Sequence, residues 1–320
     1  MPTQPPVRIG ARGSKLSLAQ AGQMQRQIAQ ALGADPGDGA EVARVAPLTV
    51  ITTTGDRVQD RRLLEIGGKG LFTKEIEDAL LEGRIDCAVH SLKDMPSVLP
   101  QGLCIAAIPE REDPRDAFLS RGAERLEDLT HGAVLGTASL RRQAQSLFRR
   151  PDLQVQLLRG NVDTRLAKLD AGEADAIILA YAGLKRLGLG HLPMSLIDPK
   201  QAPPAPGQGA LAIETRAADR DLSWVLALRH EATMVAVAAE RGALTALEGS
   251  CRTPIGAHAW FEGAALHLII EALSPDGRQR FRHAGEQDVT RMADPAASAH
   301  DLGMSLGQAI KGEAGDAIVL

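Results

Sequence analysis

The sequence predicts an α/β protein of three domains: two α/β lobes followed by a small α+β domain. Three observations carry that reading. Short apolar runs of strand length alternate with capped stretches of helix length, the pattern of parallel sheets joined by crossover helices. The chain has 320 residues, more than one hydrophobic core usually organises. Lys200-Gln-Ala-Pro-Pro-Ala-Pro-Gly-Gln-Gly209 reads as a linker, and the strand after it can return to the first domain's sheet. The boundaries expected are 1–109 with about 205–225, then 110–204, then 226–320.

In order, Val7 to Arg12 reads as a strand, and Ser14 as the N-cap of a helix to Leu32 closed by Gly33. Val42 to Thr54 is β-branched and reads as a strand. Ile66-Gly-Gly-Lys-Gly-Leu71 lacks phosphate-loop spacing, because Gly70 follows Lys69, and reads as a mobile loop. Thr73 caps a helix from Lys74 to Leu81, and the strand Asp86 to Ser91 delivers His90-Ser-Leu-Lys-Asp-Met-Pro96 at its end. Strands follow around Cys104 and Phe118, then at Ala133 to Thr137, Val155 to Leu158 and Asp175 to Ala180. Ser139 caps a helix to Arg150, and Asn161 or Asp163 caps one to Ala171. A helix from Asp219 to Leu247, with a break near Arg229-His-Glu231, leads to three strands and a final helix from about Ala296.

Composition excludes several classes. Aromatic residues make up 2% of the chain, too few to build stacking platforms for nucleic-acid bases. Three cysteines without C-x-x-C spacing argue against a disulfide scaffold and a structural zinc site. The N-terminus has no apolar h-region and no run is long enough to span a membrane, so a reducing cytoplasm is the expected compartment. Net charge is −4, yet Gly136 to Arg186 holds nine Lys/Arg against five Asp/Glu. A basic segment in an acidic protein points to an anionic ligand in a defined site.

In open α/β sheets ligands bind at the carboxyl ends of strands. Arg12 and Ser14, Ser91 with Lys93 and Asp94, Thr137 and Ser139 with Arg141 and Arg142, and Arg159 all fall at such ends or in first helix turns. Guanidinium groups donate paired hydrogen bonds to carboxylates, and hydroxyls and helix N-termini add donors. The expected ligand is a polycarboxylate. Asp94 reads either as a loop cap or as a carboxylate that stabilises positive charge or moves a proton. His90 alternates into the strand and reads as a core residue. Cys87 and Cys104 lie in apolar runs and read as small buried hydrophobes. Cys251 sits in a turn, Leu247-Glu-Gly-Ser-Cys251-Arg-Thr-Pro, beside Arg252, which favours thiolate. Local context leaves it between an inert thiol and a reactive one.

These blocks resemble the hydroxymethylbilane synthase (porphobilinogen deaminase) family. They are Arg12-Gly-Ser14, Ile66 to Phe72, His90 to Pro96, Glu110 to Ala117, Gly136 to Arg142, Leu158 to Asn161, Ala182 to Gly188, Pro206 to Gly209 and Leu247 to Cys251. The resemblance implies two periplasmic-binding-protein-like (type II) lobes around a cleft. It implies a cytoplasmic, monomeric transferase of tetrapyrrole biosynthesis that joins four porphobilinogen molecules head to tail and releases hydroxymethylbilane. It also implies a dipyrromethane cofactor held by a thioether to Cys251, with Asp94 as the catalytic carboxylate. Arg12, Ser14, Ser91, Lys93, Thr137, Ser139, Arg141, Arg142, Arg159, Arg165 and Arg186 match positions that hold acetate and propionate side chains, and Lys69 matches a mobile-loop lysine. No metal, nucleic acid or membrane is implied.

The chain departs from its relatives at Glu65, where many carry lysine, and at Ser250, where glycine is common. Two rival readings remain: a two-lobed solute-binding protein, disfavoured by the lack of an export signal, and an enzyme using Lys93 as a Schiff base. The carboxylate of neighbouring Asp94 would keep Lys93 charged, which disfavours the second.

Overall fold

A computed structural model describes residues 5–57, 73–247 and 253–318. The main elements in chain order are β1 (Ile9–Ala11), α1 (Lys15–Ala31), α2 (Gly39–Val45), β2 (Leu48–Val50), α3 (Lys74–Leu81), β3 (Cys87–Ser91) and β4 (Leu103–Ala107). Then come β5 (Asp116–Ser120), β6 (Val134–Gly136), α4 (Leu140–Arg149), β7 (Gln154–Gln156), α5 (Val162–Asp170), β8 (Ala176–Ala180), α6 (Tyr181–Arg186), β9 (Ser195–Leu196) and β10 (Leu211–Arg216). The last part holds α7 (Glu231–Ala246), β11 (Ile255–Glu262), β12 (Ala265–Leu273), β13 (Arg280–Asp288) and α8 (Pro295–Ala314).

Two five-stranded sheets share one plan, ordered β2-β1-β3-β10-β4 and β7-β6-β8-β5-β9. In each, the fourth strand runs antiparallel to its neighbours: β10 against β3 and β4, β5 against β8 and β9. The strand after the proline-rich linker therefore does return to the first sheet. Together with the third sheet, the antiparallel β11-β12-β13, this is the expected class of two α/β lobes and a small α+β domain.

Chain contacts divide the protein into two compact units, Met1–Arg111 with Ala210–Met234, and Glu112–Gly209 with Val235–Leu320. The second unit contains two of the sheets. In the first, α1 lays Ala21, Met24 and Ile28 on a core shared with Ile9 and Val89. In the second, the five-stranded sheet has a core on each face, one around Ile177 and Leu158 and one around Leu135 and Phe118. The three-stranded sheet packs Leu266, Leu268 and Ile270 against Ala239 and Ala243 of α7 and Ala299 and Ile310 of α8.

One sequence expectation changes. Val42 to Thr54 is not one strand: its first residues close α2, and only Leu48–Val50 is extended. The Asp38 side chain accepts from the N–H groups of Ala40 and Glu41, so a cap overrides the β-branched composition. The break expected near Arg229-His-Glu231 is present, between the short helix Ser223–Leu226 and α7, and both backbone and side chain there donate to the first sheet. His230 N–H donates to Ile108 O, and Arg229 Nε donates to Ala106 O on β4.

Candidate active site

Within the first unit, β1 and β3 run parallel, with Ile9 opposite Cys87 and Gly10 opposite Ala88. The turns that follow them therefore share one edge of the sheet. After β1, Ser14 caps α1 by accepting from Ser17 N–H at 3.2 Å, so Arg12 and Ser14 sit at the positive end of a 17-residue helix. After β3, Ser91 accepts from Gln20 Nε2 of α1 at 2.8 Å, which ties the second turn to the first helix. A single 3-10 turn, Leu92–Asp94, follows. Its flanks, Leu92 and Met95, are buried, which anchors the turn while Lys93 is half-buried and Asp94 is exposed. His90 faces inward, its Nε2 3.0 Å from the buried Glu214.

The second unit builds a denser site on the same plan. β6 and β7 run parallel, and the ladder continues past them through Thr137 N–H to Gln156 O and Leu158 N–H to Thr137 O. Thr137 accepts from Ser139 N–H, and Ser139 caps α4, so Arg141 and Arg142 lie in its first turn. Beyond β7, Gly160 takes φ 123°, and a Cβ there would lie 2.7 Å from Thr164. That tight turn leads from Arg159 into α5, capped by Asn161, where Arg165 Nε donates to Gly160 O. Arg186 ends α6 and donates to Gly209 O of the linker at 2.7 Å.

One carboxylate organises this edge, and the sequence reading gave it no role. Asp116 begins β5 opposite Ala180, the last residue of β8. It accepts from Arg141 Nη1 at 2.9 Å, Arg142 Nη2 at 2.8 Å and Gln208 Nε2 at 2.8 Å, and it is 4% exposed. Burial pushes its pKa up, but the charges of Arg141 and Arg142 and their hydrogen bonds outweigh burial and hold it far below the usual carboxylate range. Its only sequence signal was position, at the start of a strand inside the block Glu110 to Ala117.

Asp116 offsets only part of the positive charge. The Nε atoms of Arg141, Arg142 and Arg186 and the Nη1 of Arg159 are buried with no hydrogen-bond partner among the described residues. The Arg165 guanidinium is held down to about 10, first by burial and then by repulsion from Arg142 and Arg159. Burial also lowers Arg186. Buried donors without acceptors and mutually repelling cations are costly unless a ligand resolves both. A group bearing several carboxylates fits this cluster. Cys251, Lys69, Glu65 and Ser250 lie outside the described residues.

Comparison with known proteins places the chain in a family. Residues 7–223 match the family model "Porphobilinogen deaminase, dipyromethane cofactor binding domain", and residues 234–312 match "Porphobilinogen deaminase, C-terminal domain". The chain belongs to the porphobilinogen deaminase family. The porphobilinogen deaminase of Phenylobacterium zucineum (strain HLK1) is 78% identical over 320 residues, covering 100% of both chains. That of Caulobacter sp. (strain K31) is 67% identical over 315 residues, 98% of each chain. That of Caulobacter vibrioides (strain NA1000 / CB15N) is 66% identical over 321 residues, 100% of this chain and 99% of the other. The match to the porphobilinogen deaminase cofactor domain spans Asp94 and every arginine of the cluster, and Cys251 falls in the C-terminal match.

Proposed function

We propose that this chain is a hydroxymethylbilane synthase. It joins four porphobilinogen molecules head to tail, releases one ammonia per addition and frees the linear product by hydrolysis. Family membership supports the activity, and the unpaired guanidinium nitrogens of Arg141, Arg142, Arg159 and Arg186 are the observation that carries the site. We assign them, with Arg12, Ser14, Ser91, Lys93, Thr137, Ser139 and Arg165, to binding acetate and propionate groups. A dipyrromethane, bound through a thioether to Cys251, supplies a covalently held pyrrole end on which the chain grows. The arginines bind and orient its carboxylates, since paired N–H donors match a carboxylate in geometry as well as charge.

Asp94 has the second role. As the C–N bond of porphobilinogen breaks, positive charge develops at the methylene carbon, and a fixed carboxylate stabilises it. The same carboxylate accepts the proton shed by the attacked pyrrole carbon as the C–C bond forms. Lys93, adjacent in the chain, adds a cation for the substrate's carboxylates. The expectation for Lys69 falls outside the described residues. The three-domain division at about 109, 204 and 225, a monomeric state and a cytoplasmic location complete the proposal. Among the described residues no helix is long and apolar enough to cross a membrane.

The direct test is turnover. Purified protein given porphobilinogen should consume it with one ammonia released per molecule; no consumption by correctly folded, adduct-bearing protein would overturn the reading.

A further inference from the structure

Arg141 is held by more than its salt bridge. Besides Asp116, its Nη1 donates to Gln145 Oε1 at 2.8 Å and Pro203 O at 3.2 Å. Gln145 lies one turn further along α4, on the same face, and is 7% exposed. Its Nε2 donates to Pro203 O at 2.9 Å and to Glu271 Oε1 at 3.0 Å. With two acceptors on the nitrogen side, the amide has one good orientation, and Oε1 is the atom left for Arg141. Glu271, on β12, is 2% exposed, and its other oxygen accepts from Arg280 Nε at 2.6 Å and Arg282 Nη1 at 3.3 Å. A buried carboxylate is retained here because it accepts from three donors, Gln145, Arg280 and Arg282.

This chain reaches the segment that carries Cys251. Glu271 pairs with Gly256 in the β11–β12 ladder, and β11 begins four residues after Cys251. Gly256 packs so closely that a Cβ there would lie 2.4 Å from Pro203 O and 3.1 Å from Gln145 Nε2. Ala257 N–H donates to Pro204 O at 2.9 Å. The strand that follows the cysteine is thus registered against the arginine assigned to the cofactor.

We propose that Gln145 and Glu271 are positioning residues for the cofactor site: they hold Arg141 so that its buried Nε remains for a ligand carboxylate, and they lock β11 in register with it. This rests on the assignment of Cys251 as the tether and Arg141 as a ligand-binding residue. Neither residue touches the reacting atoms. Their effect passes through Arg141 and the start of β11, so it should depend on the cofactor being present.

The test is a double-mutant cycle with two readouts, the fraction of protein carrying the two-pyrrole adduct by intact mass and the thermal midpoint. Gln145→Met and Glu271→Gln are each made in the wild type and in Cys251→Ser, with Ile270→Val as a structural control in the same strand. Gln145→Met leaves the Glu271–Arg280–Arg282 group intact and keeps the cycle informative if Glu271→Gln folds poorly. The positioning role predicts a lower adduct fraction, and a Tm loss about 2–4 °C larger in loaded protein than in the Cys251→Ser background. Ile270→Val should lower Tm equally in both backgrounds and leave loading unchanged. Equal Tm losses in both backgrounds with wild-type loading would overturn the positioning role alone. A wild type that never shows the adduct overturns the tether assignment, and this proposal with it.

Discussion

Asp116 shows how one buried side chain can set the character of a site. Its carboxylate is charged only because Arg141 and Arg142 surround it, and they stay buried only because it is charged. Removing one partner of such a group costs about 3–5 kcal/mol, so Asp116→Asn should lower Tm by roughly 10 °C. The pH dependence follows from the depressed pKa. The stabilisation is complete above the unfolded carboxylate range, near about 4, and is lost as pH falls below it toward the folded value. The Tm gap between wild type and Asp116→Asn should therefore narrow as pH falls from about 5 to about 3, roughly one unit either side of the unfolded value; a constant gap would show that Asp116 is not ionised in the fold. Arg165 behaves in the opposite sense. Burial and like charge make it a burden without ligand, so Arg165→Leu should raise the Tm of the Cys251→Ser protein while reducing cofactor loading in the wild type. At Asp94 the prediction is functional. Exposed on a turn fixed by Leu92 and Met95, it carries no packing, so Asp94→Ala should keep Tm within about 1 °C and lose nearly all turnover. Wild-type rates in Asp94→Ala would end its catalytic assignment.

At the scale of elements, capping residues were the most legible part of the sequence. Ser14 and Ser139 cap α1 and α4 as expected, and Asn161, one of the two residues expected, caps α5, because a side-chain oxygen before a periodic run has a local physical role; Thr73 starts α3 as expected but makes no side-chain cap bond. Asp38 was missed because Val42 and the β-branched residues after Pro47 outweighed it in a composition-based reading. Close packing was not legible at all. α7 and α8 meet through small residues: a Cβ at Gly303 would lie 1.9 Å from Ala239 O, and one at Gly242 2.1 Å from His300 O. Both contacts are with backbone, which cannot swing aside, so Gly303→Ala should destabilise the protein by about 1–3 kcal/mol, read as a lower thermal or denaturant midpoint. Gly312, on the same helix with nothing within 4 Å, should accept alanine without loss.

Across the whole molecule, the shared order of the two five-stranded sheets had no counterpart as a sequence repeat, because a fold repeats through register and polarity rather than residue identity. The return of β10 was legible, since a proline-rich linker separates it from the preceding lobe. The clustering of arginines at the strand ends was legible as a basic segment in an acidic chain. Its organisers, Asp116, Gln145 and Glu271, were not, because the pairs Asp116–Arg141 and Gln145–Glu271 lie 25 and 126 residues apart and only folding brings them together. On the proposed function, these features make a cationic cluster that holds a polyanion tethered at Cys251. Intact-mass analysis of the denatured protein tests that most directly. The wild type should carry a covalent adduct of two pyrrole units, and Cys251→Ser should show the mass of the polypeptide alone. A wild type that is fully active and unmodified would contradict the account.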